Sequence, residues 1–276
     1  MQTAIVTDST ADIPPDLATE YAIRVIPAIL VIEGESLIDG IDISRREFYQ
    51  RLPTMRTHPT TATPSPEHFA QAYKELFEQG AEAILSIHVA SKLSGIYNTA
   101  KLAAQDFGNR VRVIDSNSLS MGIGLQVLAA VEAAAKNNPI DKIIDRIDEL
   151  QQRVRVVAML DTLTYIHRSG RVSWAKARIG SLLKIKPIVN INHGEVENLA
   201  NTRTRRRGID ELKKLVLRWG AIEDIAVLHS NAEADAEQLC ADIESTLSIR
   251  PMMVDITPVI GIHVGPNGLG IAAIVR

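Results

Sequence analysis

Three times within its first 125 residues this chain runs from a short apolar stretch, through a turn crowded with hydroxyls, into helical spacing. Residues 3–6 end in Thr7-Asp8-Ser9-Thr10-Ala11-Asp12-Ile13-Pro14. Residues 83–89 enter Ser91-Lys92-Leu93-Ser94-Gly95 and then a helical pattern over 96–104. Residues 111–114 lead to Asp115-Ser116-Asn117-Ser118-Leu119-Ser120-Met121-Gly122, and a long helix is predicted from Leu125 to about Ala135. Strand–helix–strand alternation of this kind predicts a parallel sheet, because parallel neighbours need a crossover between them. All three turns then fall along one sheet edge, at the carboxyl ends of the strands, where open α/β sheets bind ligands. Hydroxyls and free backbone N–H groups in such turns suit an anion. Ser9, Thr10, Gly95, Ser116 and Ser120 are therefore candidate edge residues, while a plain helix-capping role for Ser91 or Ser94 stays open.

The remaining segments fill out an α/β pattern. Residues 24–32 are rich in β-branched side chains, and Ser44 with Glu47 makes a capping box for a helix over 45–51. The Thr-, Pro- and Ser-rich stretch 53–66 holds Thr61, Thr63 and Ser65 and has the length of a functional loop. Phe69, Tyr73, Leu76 and Phe77 then keep the spacing of a helix with one buried face. A helix over 140–150 closes the first unit, predicted as residues 1–153. The second, 154–276, holds a strand over 154–159, a short helix broken at Gly170, and a run from a helix end near Ile179 into a strand. A hairpin at Gly194, a basic amphipathic helix over 203–219, a strand over 224–229, a helix over 233–247 and a last strand over 271–275 follow. His263, between Ile262 and Val264, is expected on a strand entering Gly265-Pro266, its side chain opposite to both neighbours.

Composition narrows the chemistry. A net charge of −3 across 276 residues gives no general attraction to nucleic acid or membranes, so anion chemistry must be local. The single cysteine, Cys240, excludes an internal disulfide and suits a reducing cytoplasm. No apolar run reaches the roughly 18 residues of a membrane span, and the N-terminus lacks a signal-peptide pattern, so a cytoplasmic protein without integral membrane association is expected. No P-loop, dinucleotide fingerprint or G-x-S-x-G elbow occurs, and the scattered His58, His68 and His88 offer no metal-ligand spacing. No cofactor or metal is expected. Arg203, Arg205, Arg206 and Arg207 lack interleaved aromatics, which speaks for a solvated face or a protein-docking surface over a nucleic-acid site.

Four motifs in order resemble the DegV family: Val6-Thr7-Asp8-Ser9-Thr10-Ala11-Asp12-Ile13-Pro14, Thr60-Thr61-Ala62-Thr63-Pro64-Ser65-Pro66, Ser91-Lys92-Leu93-Ser94-Gly95 and Ile262-His263-Val264-Gly265-Pro266. Gly170-Arg171 and Leu182-Leu183-Lys184-Ile185-Lys186-Pro187 lie between them as in that family. The resemblance implies a two-domain α/β fold, an N-terminal three-layer domain on a parallel sheet and a C-terminal domain on a mixed sheet, with one long-chain fatty acid between them. It implies further that Thr61, Ser94 and His263 hold the carboxylate, that Arg171 supports phosphate transfer, and that a separate ATP-binding kinase subunit converts the acid to an acyl phosphate for phospholipid synthesis. Two positions depart from the pattern: Thr61-Ala62-Thr63 stands where Thr-Ser-Gln is usual, and Ser169 where Gly is usual. The chemistry is coherent, since burying ~12 methylenes supplies on the order of 10 kcal/mol before ordering costs. Hydroxyls and an imidazole N–H satisfy a carboxylate without a full opposing charge. From the residues alone, Arg171 equally suits a cap on the helix ending at Gly170. A free-standing hydrolase or acyl-transfer enzyme using Ser94 and His263 is the alternative.

Overall fold

The structure, a computed structural model, describes residues 3–176 and 185–276. In chain order, β1 (Thr3–Asp8), α1 (Pro15–Glu20), β2 (Arg24–Ile26), β3 (Ile29–Ile32), β4 (Glu35–Ile38) and α2 (Arg45–Arg51) come first. β5 (Thr60–Ala62), α3 (Pro66–Glu78), β6 (Ala83–His88), α4 (Ile96–Ala104), β7 (Val111–Asp115), α5 (Met121–Ala135) and α6 (Ile140–Arg153) follow. Next are β8 (Val154–Met159), α7 (Thr164–Ser169), α8 (Ser173–Lys176), β9 (Lys186–Asn192), β10 (Glu195–Thr202) and α9 (Arg205–Arg218). The chain closes with β11 (Ile222–Ser230), α10 (Glu233–Leu247), β12 (Met252–Asp255), α11 (Pro258–Val264) and β13 (Gly268–Val275).

The strand–helix alternation predicts the parallel sheet, and the family resemblance implies the mixed one; both are present. Strands β2-β1-β6-β7 form a wholly parallel sheet. Strands β10-β9-β8-β13-β11-β12 form a mixed one, in which only β11 and β12 run parallel. The chain passes from the first to the second between Arg153 and Val154, and we take that point as the boundary between units 1–153 and 154–276. Every residue of β6 is buried, as befits a parallel strand covered on both faces. Its polar members are satisfied within the core: His88 Nδ1 lies 2.9 Å from Asp8 Oδ2, His88 Nε2 2.6 Å from Ser86 Oγ, and Ser86 Oγ 2.9 Å from the Tyr73 hydroxyl.

Helix α5 explains how two sheets share one core. Its residues from Met121 to Val127 are buried without interruption, Gln126 among them donating to Ser116 O and Gly122 O, so the helix calls for cover on every side. It packs on β1 and β6 of the parallel sheet and on β8, β11 and β13 of the mixed sheet. Val6, Ile87, Val156 and Ala272 accordingly belong to one cluster.

Four features differ from expectation. Within stretch 53–66, residues Thr60–Ala62 are a strand, paired antiparallel to β3 in a small sheet β4-β3-β5. Helix α5 begins at Met121, four residues before the predicted start. Strands β4 and β12 carry too few residues to stand out as periodic runs. His263 lies on helix α11 and not on a strand. Thr257-Pro258 supplies an extended residue followed by Pro at the first helical position, a start signal stronger than the β-branched run behind it. The predicted helix end at 179–184, with Leu182-Leu183-Lys184 of the family pattern, lies outside the described residues.

Candidate functional site

The hydroxyl turns of β1, β6 and β7 do lie on one edge, and backbone hydrogen bonds tie them together. Ala90 N–H donates to Ser118 O, Ser116 N–H to His88 O, and Ser120 N–H to Thr10 O. Above this edge, between the two large sheets, is a cavity of about 390 Å³, within the ~300–1,000 Å³ of small-molecule sites. Apolar side chains supply most of its wall: Val89 and Ile96 from the parallel side, Val156, Ala158 and Val189 from the mixed sheet, Val259 and Ile260 from α11. Thr10, Thr61, Thr63, Ser94, Gly95, Ser120, Arg171 and His263 also line it.

These polar residues are not equivalent. Thr10 Oγ1 donates to Asp8 Oδ1, and Ser120 Oγ donates to Asp12 Oδ2 at 2.5 Å. Their protons are committed, so both present only lone pairs and neither is a donor for an anion. Thr61 sits mid-strand on β5 opposite Leu30 and is half-buried. Ser94 Oγ accepts from Ile96 N–H at 3.3 Å, keeping its own proton for another acceptor. No side-chain bond caps α4, so the capping role expected of Ser91 or Ser94 reduces to this short turn contact. The approach of β5 to the turn is close, since a Cβ on Gly95 would stand 3.3 Å from Thr63 Oγ1. On the opposite side a Cβ on Gly194, at φ +75°, would meet Ala90 Cβ at 2.8 Å, and the exposed Lys92–Glu195 pair at 2.7 Å spans the same contact. The β9–β10 hairpin thus rests on the β6 turn.

His263 stands on the face of α11 that also presents Val259, Ile260 and Val264 to the cavity. Its Nδ1 is buried and has no hydrogen-bond partner among the described residues. Burial, reinforced by the nearby charges of Arg171 and His58, pushes its pKa down to about 3, so the imidazole is neutral and carries one N–H. Arg171 is exposed at the rim, and its guanidinium donates to Ser169 O at 2.8 Å. Gly170 ends α7 at φ +70°, so in this structure Arg171 does cap that helix end.

Other candidates lie away from the cavity. Ser9 Oγ accepts from Ala28 N–H, and Ser116 Oγ accepts from Ser118 N–H, both buried and structural. Arg205 donates to Asp235 at 2.5 Å and to Asn267 O at 2.6 Å and pairs with Asp161, which ties α9 to α10 and to the turn before β13. Its charge is spent inside the fold, whereas Arg203, Arg206 and Arg207 are exposed. The sequence reading passed over Asp12, which is 1% exposed and accepts from both Ser120 and Thr257. It also passed over His229 and Ser230, which enter the cavity wall from the end of β11. Thr257-Pro258 was the available signal for Asp12's partner, a cap position ahead of an unrecognised helix.

Among the described residues no helix is long and apolar enough to cross a membrane, and no group of three or more His, Cys, Asp and Glu side chains could hold a metal ion.

Comparison with known proteins agrees with this architecture throughout. The model of the DegV family, described as uncharacterised proteins, matches residues 2–276. A DegV domain-containing protein of Deinococcus radiodurans is 32% identical, over 99% of this chain and 98% of its own. A solved DegV family protein from Thermus thermophilus, described as binding fatty acid, is 32% identical with a TM-score of 0.90, both chains covered completely. The solved DegV of Bacillus subtilis, described as a fatty acid binding protein, is 31% identical with a TM-score of 0.89, again over the whole of both chains.

Proposed function

This chain belongs to the DegV family, and from that premise we propose that it holds one long-chain fatty acid in the cavity between its sheets and presents the carboxylate to a separate, ATP-dependent kinase subunit. The observation that carries the proposal is a largely apolar cavity of about 390 Å³ whose donors include Thr61, Ser94 and His263, the last an imidazole with a buried nitrogen that has no partner among the described residues. The fatty-acid binding described for the Thermus and Bacillus relatives supports it.

The division of labour follows from the chemistry of each group. Methylenes in the apolar wall contribute about 0.8 kcal/mol each, and the carboxylate cannot be buried bare. Two hydroxyl protons and one imidazole N–H satisfy its oxygens. An imidazole that stays neutral, as burial and the Arg171 and His58 charges favour, pairs no full positive charge with the anion, and the carboxylate then keeps its nucleophilicity. In the transfer, a carboxylate oxygen attacks the γ-phosphorus of ATP brought by the partner. The β–γ bridging bond breaks, and its electron pair leaves on ADP. Arg171, released from Ser169 O, is placed at the rim to meet the phosphoryl charge with a planar fork of donors. Arg203, Arg206 and Arg207 form the docking surface for the kinase. The chain itself is a carrier and not an enzyme acting alone.

Native mass spectrometry of the purified protein, with denaturing lipid extraction, tests the reading. A single bound mass matching a fatty acid is expected. A protein that arrives empty and takes up no added oleate or palmitate would overturn it.

A further inference from the structure

His263 lies near the end of the chain, yet the helix that carries it is held by the first fifty residues. Three consecutive residues lead into α11, and each is gripped by a different side chain. The Arg45 guanidinium donates to Asp255 O, the Tyr49 hydroxyl to Ile256 O at 3.3 Å, and Asp12 Oδ1 accepts from Thr257 N–H at 2.7 Å. The Thr257 hydroxyl adds a bond to Ser9 O at 3.3 Å. Asp12 Oδ2 meanwhile takes the Ser120 hydroxyl, so one carboxylate joins the β1 turn, the β7 turn and the start of α11. The helix then lies directly on α2: a Cβ on Gly261 would stand 2.6 Å from the Tyr49 hydroxyl and 2.9 Å from Phe48 Cε1. At its far end, Gly265 meets the Tyr165 ring so closely that a Cβ there would be 2.2 Å from Cδ2. From Thr257 to His263 is six residues, about 9 Å along a helix axis. A small tilt at the gripped end therefore moves the imidazole by a comparable amount, and a displacement of about 1 Å is enough to spoil a positioned hydrogen bond.

We propose that Asp12, with Arg45 and Tyr49, is a positioning clamp that sets α11 and thereby aims His263 at the hydroxyls of Thr61 and Ser94. No clamp residue donates to the cavity contents; each acts through the seat of the helix. The inference rests on the fatty-acid reading only for the purpose of the aim, because the clamp and its effect on His263 are properties of the ligand-free protein as well. The Asp12 carboxyl is enclosed by Ser120 and Thr257, with the Arg45 charge nearby and Tyr49, Asp39 and Asp255 in the same cluster. Its acceptor role makes a sharp distinction between variants. Asp12→Asn keeps an oxygen for the Thr257 N–H and can turn its amide toward Ser120 Oγ, whereas Asp12→Ala removes both partners.

The test is the imidazole spectrum of His263, read by long-range ¹H–¹⁵N correlation in the full-length chain, wild type and Asp12→Ala, Asp12→Asn and Arg45→Met. His263→Gln serves to assign the signal. In Asp12→Ala the His263 resonances are expected to move and its titration midpoint to rise toward an ordinary histidine value. Arg45→Met, which removes one half-exposed grip and leaves the core intact, shifts them less in the same direction. Asp12→Asn returns them close to wild type. Should Asp12→Ala fail to fold, Arg45→Met and Asp12→Asn carry the test, and a wild-type His263 spectrum in Arg45→Met overturns the clamp. Bound fatty acid is measured on the same samples: a wild type that never takes up lipid defeats the carrier reading, while the His263 shifts decide the clamp independently.

Discussion

Asp12 is buried, His263 is half-buried with its Nδ1 enclosed, both are perturbed, and they pull stability in opposite directions with pH. His263 falls from 6.5 to about 3, so between those values the unfolded chain takes a proton that the folded chain refuses. Its contribution is present above 6.5 and is lost as pH falls toward 3. Asp12 rises from 3.8 to about 7 because burial outweighs the Arg45 charge and its hydrogen bonds, so here the folded chain holds a proton that the unfolded chain has lost. That contribution is present below 3.8 and is lost as pH rises through 7. Asp12→Asn should thus match wild type in acid and exceed it at pH 8, by up to roughly 4 kcal/mol at 1.36 kcal/mol per pK unit. Urea unfolding at pH 4.5 and pH 8 checks this, and a difference that does not grow with pH counts against the shift. For His263 the expected outcome is a neutral ring at pH 5.5, where an ordinary histidine is mostly charged, visible in its ¹⁵N shifts.

At the scale of elements, helix α11 and helix α2 offer a direct probe of close packing. Gly261→Ala would drive a methyl into the Tyr49 and Phe48 rings, a buried contact with no flexible end to yield. An overpacking cost of about 1–3 kcal/mol is expected, together with weaker lipid retention as α11 lifts; thermal unfolding and native mass spectrometry on one sample check both. Helix α9 is a milder case. Thr204 Oγ1 accepts from Arg207 N–H at 3.3 Å as its N-cap, and Thr204→Ala should cost about 1 kcal/mol in urea unfolding without touching lipid uptake. Local signals of this kind were legible in the sequence. Ser44 Oγ accepts from Glu47 N–H, one half of the capping box, while the Glu47 carboxylate takes Arg51 in place of the Ser44 N–H, and Gly170 does end α7. What escaped were elements whose residues argue against their structure: α11, β-branched but started by Thr257-Pro258, and β5, three residues inside a stretch that composition marks as loop. Thr61 and His263 were singled out by family resemblance. The fact that they share one cavity wall depends on the register of β5 with β3 and on the seat of α11, which are long-range contacts that no local pattern encodes.

For the whole molecule, the cavity exists because α5 separates the two large sheets at one place and α11, packed on α2, α7 and the small sheet, walls another side, and the space left is largely apolar. Filling it tests its role without disturbing the head-group residues. Ala158 projects from β8 into the cavity, and Ala158→Phe should preserve the fold while the extracted lipid becomes a shorter acid or disappears. The outer surface poses the complementary question of where the proposed kinase subunit would dock. Arg203 and Arg206 flank Arg205 at the start of α9, and the two are exposed where Arg205 is locked to Asp161 and Asp235. Reversing both with Arg203→Glu and Arg206→Glu should leave lipid content and unfolding unchanged, because exposed pairs contribute at most about 1 kcal/mol. Reversing Arg205 as well would break internal bonds and confuse the readout. With a separate ATP-dependent kinase subunit of the proposed kind, ATP and the lipid-loaded carrier, acyl-phosphate formation by the double variant should fall several-fold at low salt, and the gap should narrow as salt screens the surface over a ~8 Å Debye length at 0.15 M. Equal rates at every ionic strength would mean that the kinase approaches another face, and that these arginines serve only as the solvated side of α9.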